Sequence, residues 1–152
     1  LTWIRPAIIE SYERLFIDGH AHSVEVWDGA ELVAGLYGVA VGRLFFTESL
    51  FTRVPNASRI ALTYLNCALE SWGFVLNDVK RHTDFWQAQG ARLITREAVD
   101  GLLATGRDAP GPRSPWRVDP DLDVAAWRPG RRTSEPAAEA TDAVVIQAGQ
   151  RR

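Results

Sequence analysis

The sequence predicts an α+β fold, a sheet of mixed direction with helices packed against it. Three observations carry that expectation. Residues 21–49 hold three stretches of strand character joined at Asp28-Gly29 and Gly42, turn signals that suit an antiparallel meander. Residues 57–72 then place Ile60, Tyr64, Ala68 and Trp72 on one helical face. Beyond Gly73, short apolar segments alternate with short amphipathic ones, so the full order reads βββ-α-β-α-β.

Each element has a local cause. Pro6 to Asp18 sets Ile9, Tyr12, Leu15 and Phe16 at helical spacing, with proline near its start and Gly19 after its end. Ala21 to Trp27 alternates, Val24 and Val26 on one face against Ser23, Glu25 and Trp27 on the other. Leu32 to Val41 and Arg43 to Ser49 complete the meander, and Asn56-Ala57-Ser58 offers an N-cap for the next helix. Phe74 to Asn77 reads as a short buried strand, Arg81 to Gln89 as a helix closed by Gly90, Ala91 to Thr95 as a last strand, and Glu97 to Leu103 as a last helix.

Composition bounds the class. A chain of 152 residues with 46% hydrophobic and 24% charged residues is one ordinary domain in size, able to bury roughly 68–70% of its unfolded surface. No apolar run approaches the ~20 residues of a membrane span. The single cysteine, Cys67, has no internal partner for a disulfide and suits a reducing compartment. A net charge of −2 gives no whole-molecule pull on nucleic acid. Lys80 is the one lysine among 17 basic residues. With Leu1 first and no methionine anywhere, the chain reads as a fragment or a processed product. Residues 1–117 carry the periodic apolar pattern and are the expected folded domain. Residues 118–152, rich in Ala, Pro and alternating charge, are expected to form a largely disordered tail in which Val124 and Trp127 are the residues able to dock. A chain ended at residue 134 is then expected to melt at nearly the temperature of the whole.

Several dispersed motifs resemble one family. They are Thr2-Trp3-Ile4, Gly19-His20-Ala21-His22-Ser23-Val24-Glu25-Val26-Trp27, Phe45-Phe46-Thr47-Glu48-Ser49-Leu50-Phe51, Ala57-Ser58-Arg59 with Ala61-Leu62, Leu76-Asn77-Asp78-Val79-Lys80 and Gln89-Gly90-Ala91. In this order they resemble the leucyl/phenylalanyl-tRNA–protein transferases over roughly residues 1–104. The element order also resembles the N-acetyltransferase (GNAT-type) fold, although the Gly-rich pyrophosphate turn of that group is missing after residues 43–49. The resemblance implies an enzyme that moves Leu or Phe from the 3′ end of Leu-tRNA or Phe-tRNA to the N-terminal Arg or Lys of an acceptor protein. It implies a cytoplasmic protein of the N-end rule degradation route, with no cofactor, no metal and no membrane partner. The family's smaller N-terminal domain has no counterpart here. Thr47 stands for a glycine, Asn77 for an apolar residue, Lys80 for a glutamine and Thr83 for an asparagine.

Such a transfer is aminolysis of an ester, which needs a positioned neutral amine, donors for an oxyanion and a proton for the leaving hydroxyl. The catalytic candidates are Asp78, Glu48 and Lys80. Asp78, at the end of a buried strand, reads equally as a base for the amine or as a cap of the next helix; the resemblance favours the base. Glu48 reads as a holder of the acceptor amine that favours basic N-termini, or as an edge-strand partner of Arg43. Lys80 reads as a charge that keeps Asp78 ionised but repels cationic acceptors, as a tRNA-phosphate contact, or as a solvated side chain. By resemblance Trp3 stacks near the aminoacylated adenosine, and Leu36, Phe45, Leu50, Leu62, Leu65, Leu69 and Asn77 line the amino-acid pocket; the same apolar spacing also reads as plain core. Asn77 there weakens binding of an apolar side chain unless its amide is satisfied elsewhere. His20 and His22, two apart, are a weak metal signal and read better as hydrogen-bonded structural histidines. Arg43, Arg53 and Arg59 offer at most a faint basic patch.

Overall fold

The computed structural model describes residues 2–117, 119–128 and 144–146. Helix α1 (Pro6–Ile17) starts with proline in the first turn, where a missing N–H costs nothing, and is followed by Gly19 at φ 81°. None of its side chains is buried. Strands β1 (Ala21–Asp28), β2 (Glu31–Val41) and β3 (Leu44–Thr52) form the expected meander, with Gly29 and Gly42 in the left-handed conformation at its two turns. Gly38 is fixed by packing: a Cβ there would lie 2.6 Å from the Phe45 ring and press on the Phe46 carbonyl.

Helix α2 (Ala57–Ser71) is the crossover that lets β4 (Leu76–Asp78) pair parallel to β3, with Leu44 opposite Leu76, Phe45 opposite Asn77 and Phe46 opposite Asp78. Helix α3 (Asp84–Ala88), strand β5 (Arg92–Leu93) and helix α4 (Arg96–Gly106) follow. Thr83 and Thr95 cap the two helices, accepting from the Trp86 and Ala98 amides at 3.3 and 3.2 Å. The six-stranded mixed sheet has the order β1-β2-β3-β4-β6-β5, where β6 is Val144–Ile146. Among the described residues no helix is long and apolar enough to cross a membrane.

Alternation along β3 divides the core between the two faces of the sheet. Phe45 joins Leu36, Leu62, Leu65, Leu69 and Phe74 beneath α2, with Leu50 and Trp116 packed against them. Leu44 faces the other way, joining Leu76 and Ile94, with Val99, Leu102 and Leu103 of α4 packed alongside.

Three details differ from the sequence reading. Asn56 stands at the N-cap of α2 but lies in the left-handed region (φ 66°) and makes no side-chain capping bond. Strand β4 starts at Leu76 rather than Phe74, whose amide instead closes the end of α2 by bonding the Leu69 carbonyl. Helix α3 starts at Asp84 rather than Arg81, because Thr83 caps it and Lys80 turns left-handed at φ 60°. Beyond residue 117, where a tail with Val124 and Trp127 able to dock is expected, the described residues form turns within 119–128 and the strand β6, and the rest of 118–152 lies outside the described residues. Trp127 docks by donating its indole N–H to Glu70 at 2.9 Å, and β6 pairs antiparallel with both β4 and β5.

Two stability outcomes follow from this packing. Phe45→Ala, which empties a fully buried ring site, is expected to cost about 3–5 kcal/mol in urea unfolding. Truncation after residue 134 removes the ladder partner of β4 and β5, so its melting temperature is expected to fall by several degrees rather than stay level. An unchanged melting point would show that β6 adds nothing to the sheet.

Candidate functional site

The β3–β4 pairing puts Asp78 at the carboxyl end of β4, opposite Phe46 and two residues short of the level of Glu48. Asp78 Oδ1 accepts the Lys80 amide at 2.7 Å, a side-chain-mimicked turn that stabilises the left-handed backbone at Lys80. The reversal brings Lys80 Nζ into a salt bridge with Glu48 Oε1. The pair is not a freely solvated one: the Glu48 side chain is 16% exposed, that of Lys80 44%. Tyr12 of α1 lies beside Glu48, and its phenol is pushed up to about 12, first by burial and then by that neighbouring carboxylate. Tyr37 is raised for the same two reasons and meets Tyr12 edge to face at 4.9 Å. Burial raises Asp78 above the ordinary carboxylate range, against the Lys80 amide and ammonium, which lower it; Glu48 adds to the rise.

All three catalytic candidates therefore converge, but with a different pairing from the one expected. The ammonium of Lys80 sits on Glu48, while Asp78 holds the Lys80 backbone. Arg43, the suggested partner of Glu48, instead donates Nε to the Pro110 carbonyl at 3.0 Å. Arg43 and Arg53 flank opposite ends of β3, roughly 30 Å apart at strand rise, so the three arginines do not form one patch.

Tyr12 and Tyr37 carry the site into an open apolar cleft of about 460 Å³ between α1 and β1, lined also by Ile4, Ile8, Ile9, Phe16, Ala21 and His22. Trp3 is half-exposed and directly precedes Ile4 of that wall. The six apolar pocket candidates meet in one cluster around Phe45, closely packed; Leu65 also borders a second cleft of about 310 Å³ between β1 and α2. Asn77 is buried and its amide is satisfied. It accepts from Thr47 Oγ1 at 2.8 Å and donates to Asn66 Oδ1 at 3.0 Å. Two of the four residues that depart from the resembled pattern, Thr47 and Asn77, are thus bonding partners. Asn66 Nδ2 is buried without a hydrogen-bond partner.

Sequence reasoning missed Tyr12 and Tyr37. Tyr12 looked like one more apolar member of the α1 stripe, and the hydroxyl that separates tyrosine from phenylalanine was the available signal. It also missed Trp116, which stacks on His22 with ring centroids 3.5 Å apart. His22 is buried and His20 exposed. Among the described residues no cluster of three or more His, Cys, Asp or Glu side chains is placed to hold a metal.

A carboxylate, an ammonium and a raised aspartate thus lie beside an apolar cleft. The family described as leucyl/phenylalanyl-tRNA protein transferase matches residues 1–104, and the chain belongs to that family. It is similar to leucyl/phenylalanyl-tRNA–protein transferases of Hydrogenovibrio crunogenus (43% identity over 79% of this chain and 47% of the relative) and Pseudomonas fluorescens (47% over 76% and 50%). A third such relative, from Alkalilimnicola ehrlichii, is 41% identical over 91% of this chain and 54% of its own length. The chain spans about half the length of the curated relatives it matches.

His22 sets a pH dependence. Burial lowers it from 6.5 to about 4, against a hydrogen bond with the Gly19 backbone that raises it. Between those values the unfolded chain binds a proton that the folded chain does not, so stability falls as pH drops from about 6.5 to about 4. The expected loss is about 2 kcal/mol, discounted from the full shift because the cleft between α1 and β1 reaches the ring. Urea unfolding at pH 7 and pH 4.5 checks it, and His22→Phe should flatten that difference.

Proposed function

We propose that this chain is the aminoacyl-transfer portion of a leucyl/phenylalanyl-tRNA–protein transferase, moving Leu or Phe from aminoacyl-tRNA to the N-terminal Arg or Lys of an acceptor protein. The observation that carries the proposal is the convergence of Glu48, Asp78, Lys80 and Tyr12 at the carboxyl end of β4, within the residues that match the family. With it belong the assignment of residues 1–117 as the catalytic domain on an N-acetyltransferase-like scaffold, residues 118–152 as an appendage, and a cytoplasmic place in the N-end rule degradation route.

The acceptor α-amine, once neutral, attacks the carbonyl carbon of the ester. The C–N bond forms, the bond from that carbon to the ribose oxygen breaks, and the proton lost by nitrogen ends on the departing ribose hydroxyl. The ester is already activated, so the reaction needs no coenzyme. Asp78 takes the amine proton; its raised affinity for protons makes it a better base than an ordinary aspartate. Glu48 holds the cationic acceptor by charge, and Tyr12, a phenol kept protonated, is a donor beside the reacting centre. Trp3 receives the terminal adenosine. Leu36, Phe45, Leu50, Leu62, Leu65 and Leu69 form an apolar seat that opens for the Leu or Phe side chain, floored by Asn77.

The test uses labelled Leu-tRNA or Phe-tRNA and an Arg-starting protein, with this chain alone and with it joined to the preceding half of a full-length relative. Asp78→Asn in the active form is expected to lower turnover by about 10²–10⁴-fold while leaving the melting temperature within a few degrees. Loss of activity in step with loss of helical signal would make Asp78 a structural cap. Binding of aminoacyl-tRNA with no transfer by either form would favour a binding-only relative.

A further inference from the structure

We infer that Lys80 is a specificity-determining residue: its ammonium occupies, on Glu48, the place that the cation of an Arg- or Lys-starting acceptor would take, so such acceptors bind by displacing it. The inference rests on the acceptor reading of Glu48 given above and adds what stands in the acceptor's way.

Four observations carry it. Lys80 Nζ is seated on Glu48 Oε1, so the carboxylate that would attract an external cation already has an internal one. The phenol of Tyr12 stands beside the same carboxylate, so one side of it is already covered against a newcomer. The Lys80 backbone lies at φ 60°, a region that a β-substituted residue adopts at a cost, and is secured there by Asp78 Oδ1. That anchor fixes where the lysine stem begins. The head group is free to leave, since the side chain is 44% exposed against 16% for Glu48. Glu48, Asp78 and Lys80 together carry one negative charge; with a neutral residue at position 80 they would carry two. The attraction for a cationic acceptor is weakened by this exchange, whereas that for an acceptor with an uncharged first side chain is much less affected.

The experiment measures peptide binding, which requires neither tRNA nor transfer. C-terminally amidated Arg-Ala-Ala and Ala-Ala-Ala are titrated into the full chain and into Lys80→Gln and Lys80→Arg, followed by NMR shifts or calorimetry at low and high salt. Lys80→Gln is expected to tighten Arg-Ala-Ala by roughly three- to tenfold, with little change for Ala-Ala-Ala. That gain should shrink at high salt. Lys80→Arg, which restores a cation at the same position, is expected to behave like the parent chain and serves as the control for folding. An Arg-to-Ala preference that is the same in the parent and Lys80→Gln overturns the role of Lys80 and leaves the acceptor reading of Glu48 standing. If no form binds Arg-Ala-Ala better than Ala-Ala-Ala, the acceptor reading falls and this inference with it.

Discussion

The parallel pairing of β4 on β3 is the constraint from which the rest of the molecule follows. It lasts three residues, Leu76 to Asp78. Because side chains alternate along a strand, it assigns Phe45 and Leu44 to opposite faces, and each seeds one half of the core. A parallel neighbour cannot be reached through a tight turn, so α2 must cross the sheet and cover the Phe45 face. The same register ends β4 beside Glu48. Asp78 is therefore buried enough for its proton affinity to be raised, and the turn that follows returns Lys80 to the strand it has just passed. One short ladder thus sets the core, the crossover and the site.

The buried polar group at the middle of that ladder is compensated within the chain. An amide in an apolar seat costs about 1–3 kcal/mol when unpaired, and Asn77 avoids most of that by bonding Thr47 on the neighbouring strand and Asn66 on the helix. The network ties β3, β4 and α2 together at one point, so it orients the crossover as well as satisfying the amide. Hydrogen-bonded groups of this kind are specific about geometry where leucine or isoleucine is tolerant. Asn66 keeps one buried donor unmatched, which is the remaining cost of the arrangement.

Charge and apolar surface are divided sharply around the site. Glu48, Asp78 and Lys80 gather at the carboxyl end of β4, on interior strands of the sheet, while α1, which buries none of its own side chains, presents Ile8, Ile9 and Phe16 to the adjoining cleft. Tyr12 belongs to both: it lines the cleft and feels the Glu48 carboxylate, which raises its phenol. A substrate with an amine and an apolar group would meet both surfaces at once, the arrangement suited to aminoacyl transfer.

The sequence by itself determined the element order, the turns at Gly29 and Gly42 and the apolar identity of both core faces, because these depend on local dihedrals and on periods of two and 3.6 residues. Its motifs also carried the family resemblance and pointed to Glu48, Asp78 and Lys80. It did not determine who pairs with whom. Lys80 lies two residues from Asp78, yet its ammonium goes to Glu48, 32 positions earlier in the chain. Thr47 and Asn77 each looked like an isolated departure and are bonded to one another. Tyr12 read as packing and stands beside Glu48, and residues 144–146, a β-branched Val-Val-Ile run within a segment read as a tail, found a place between β4 and β5. Each of these is a long-range contact fixed by strand register and by the path of the crossover, and no local period in a sequence encodes register between segments so far apart.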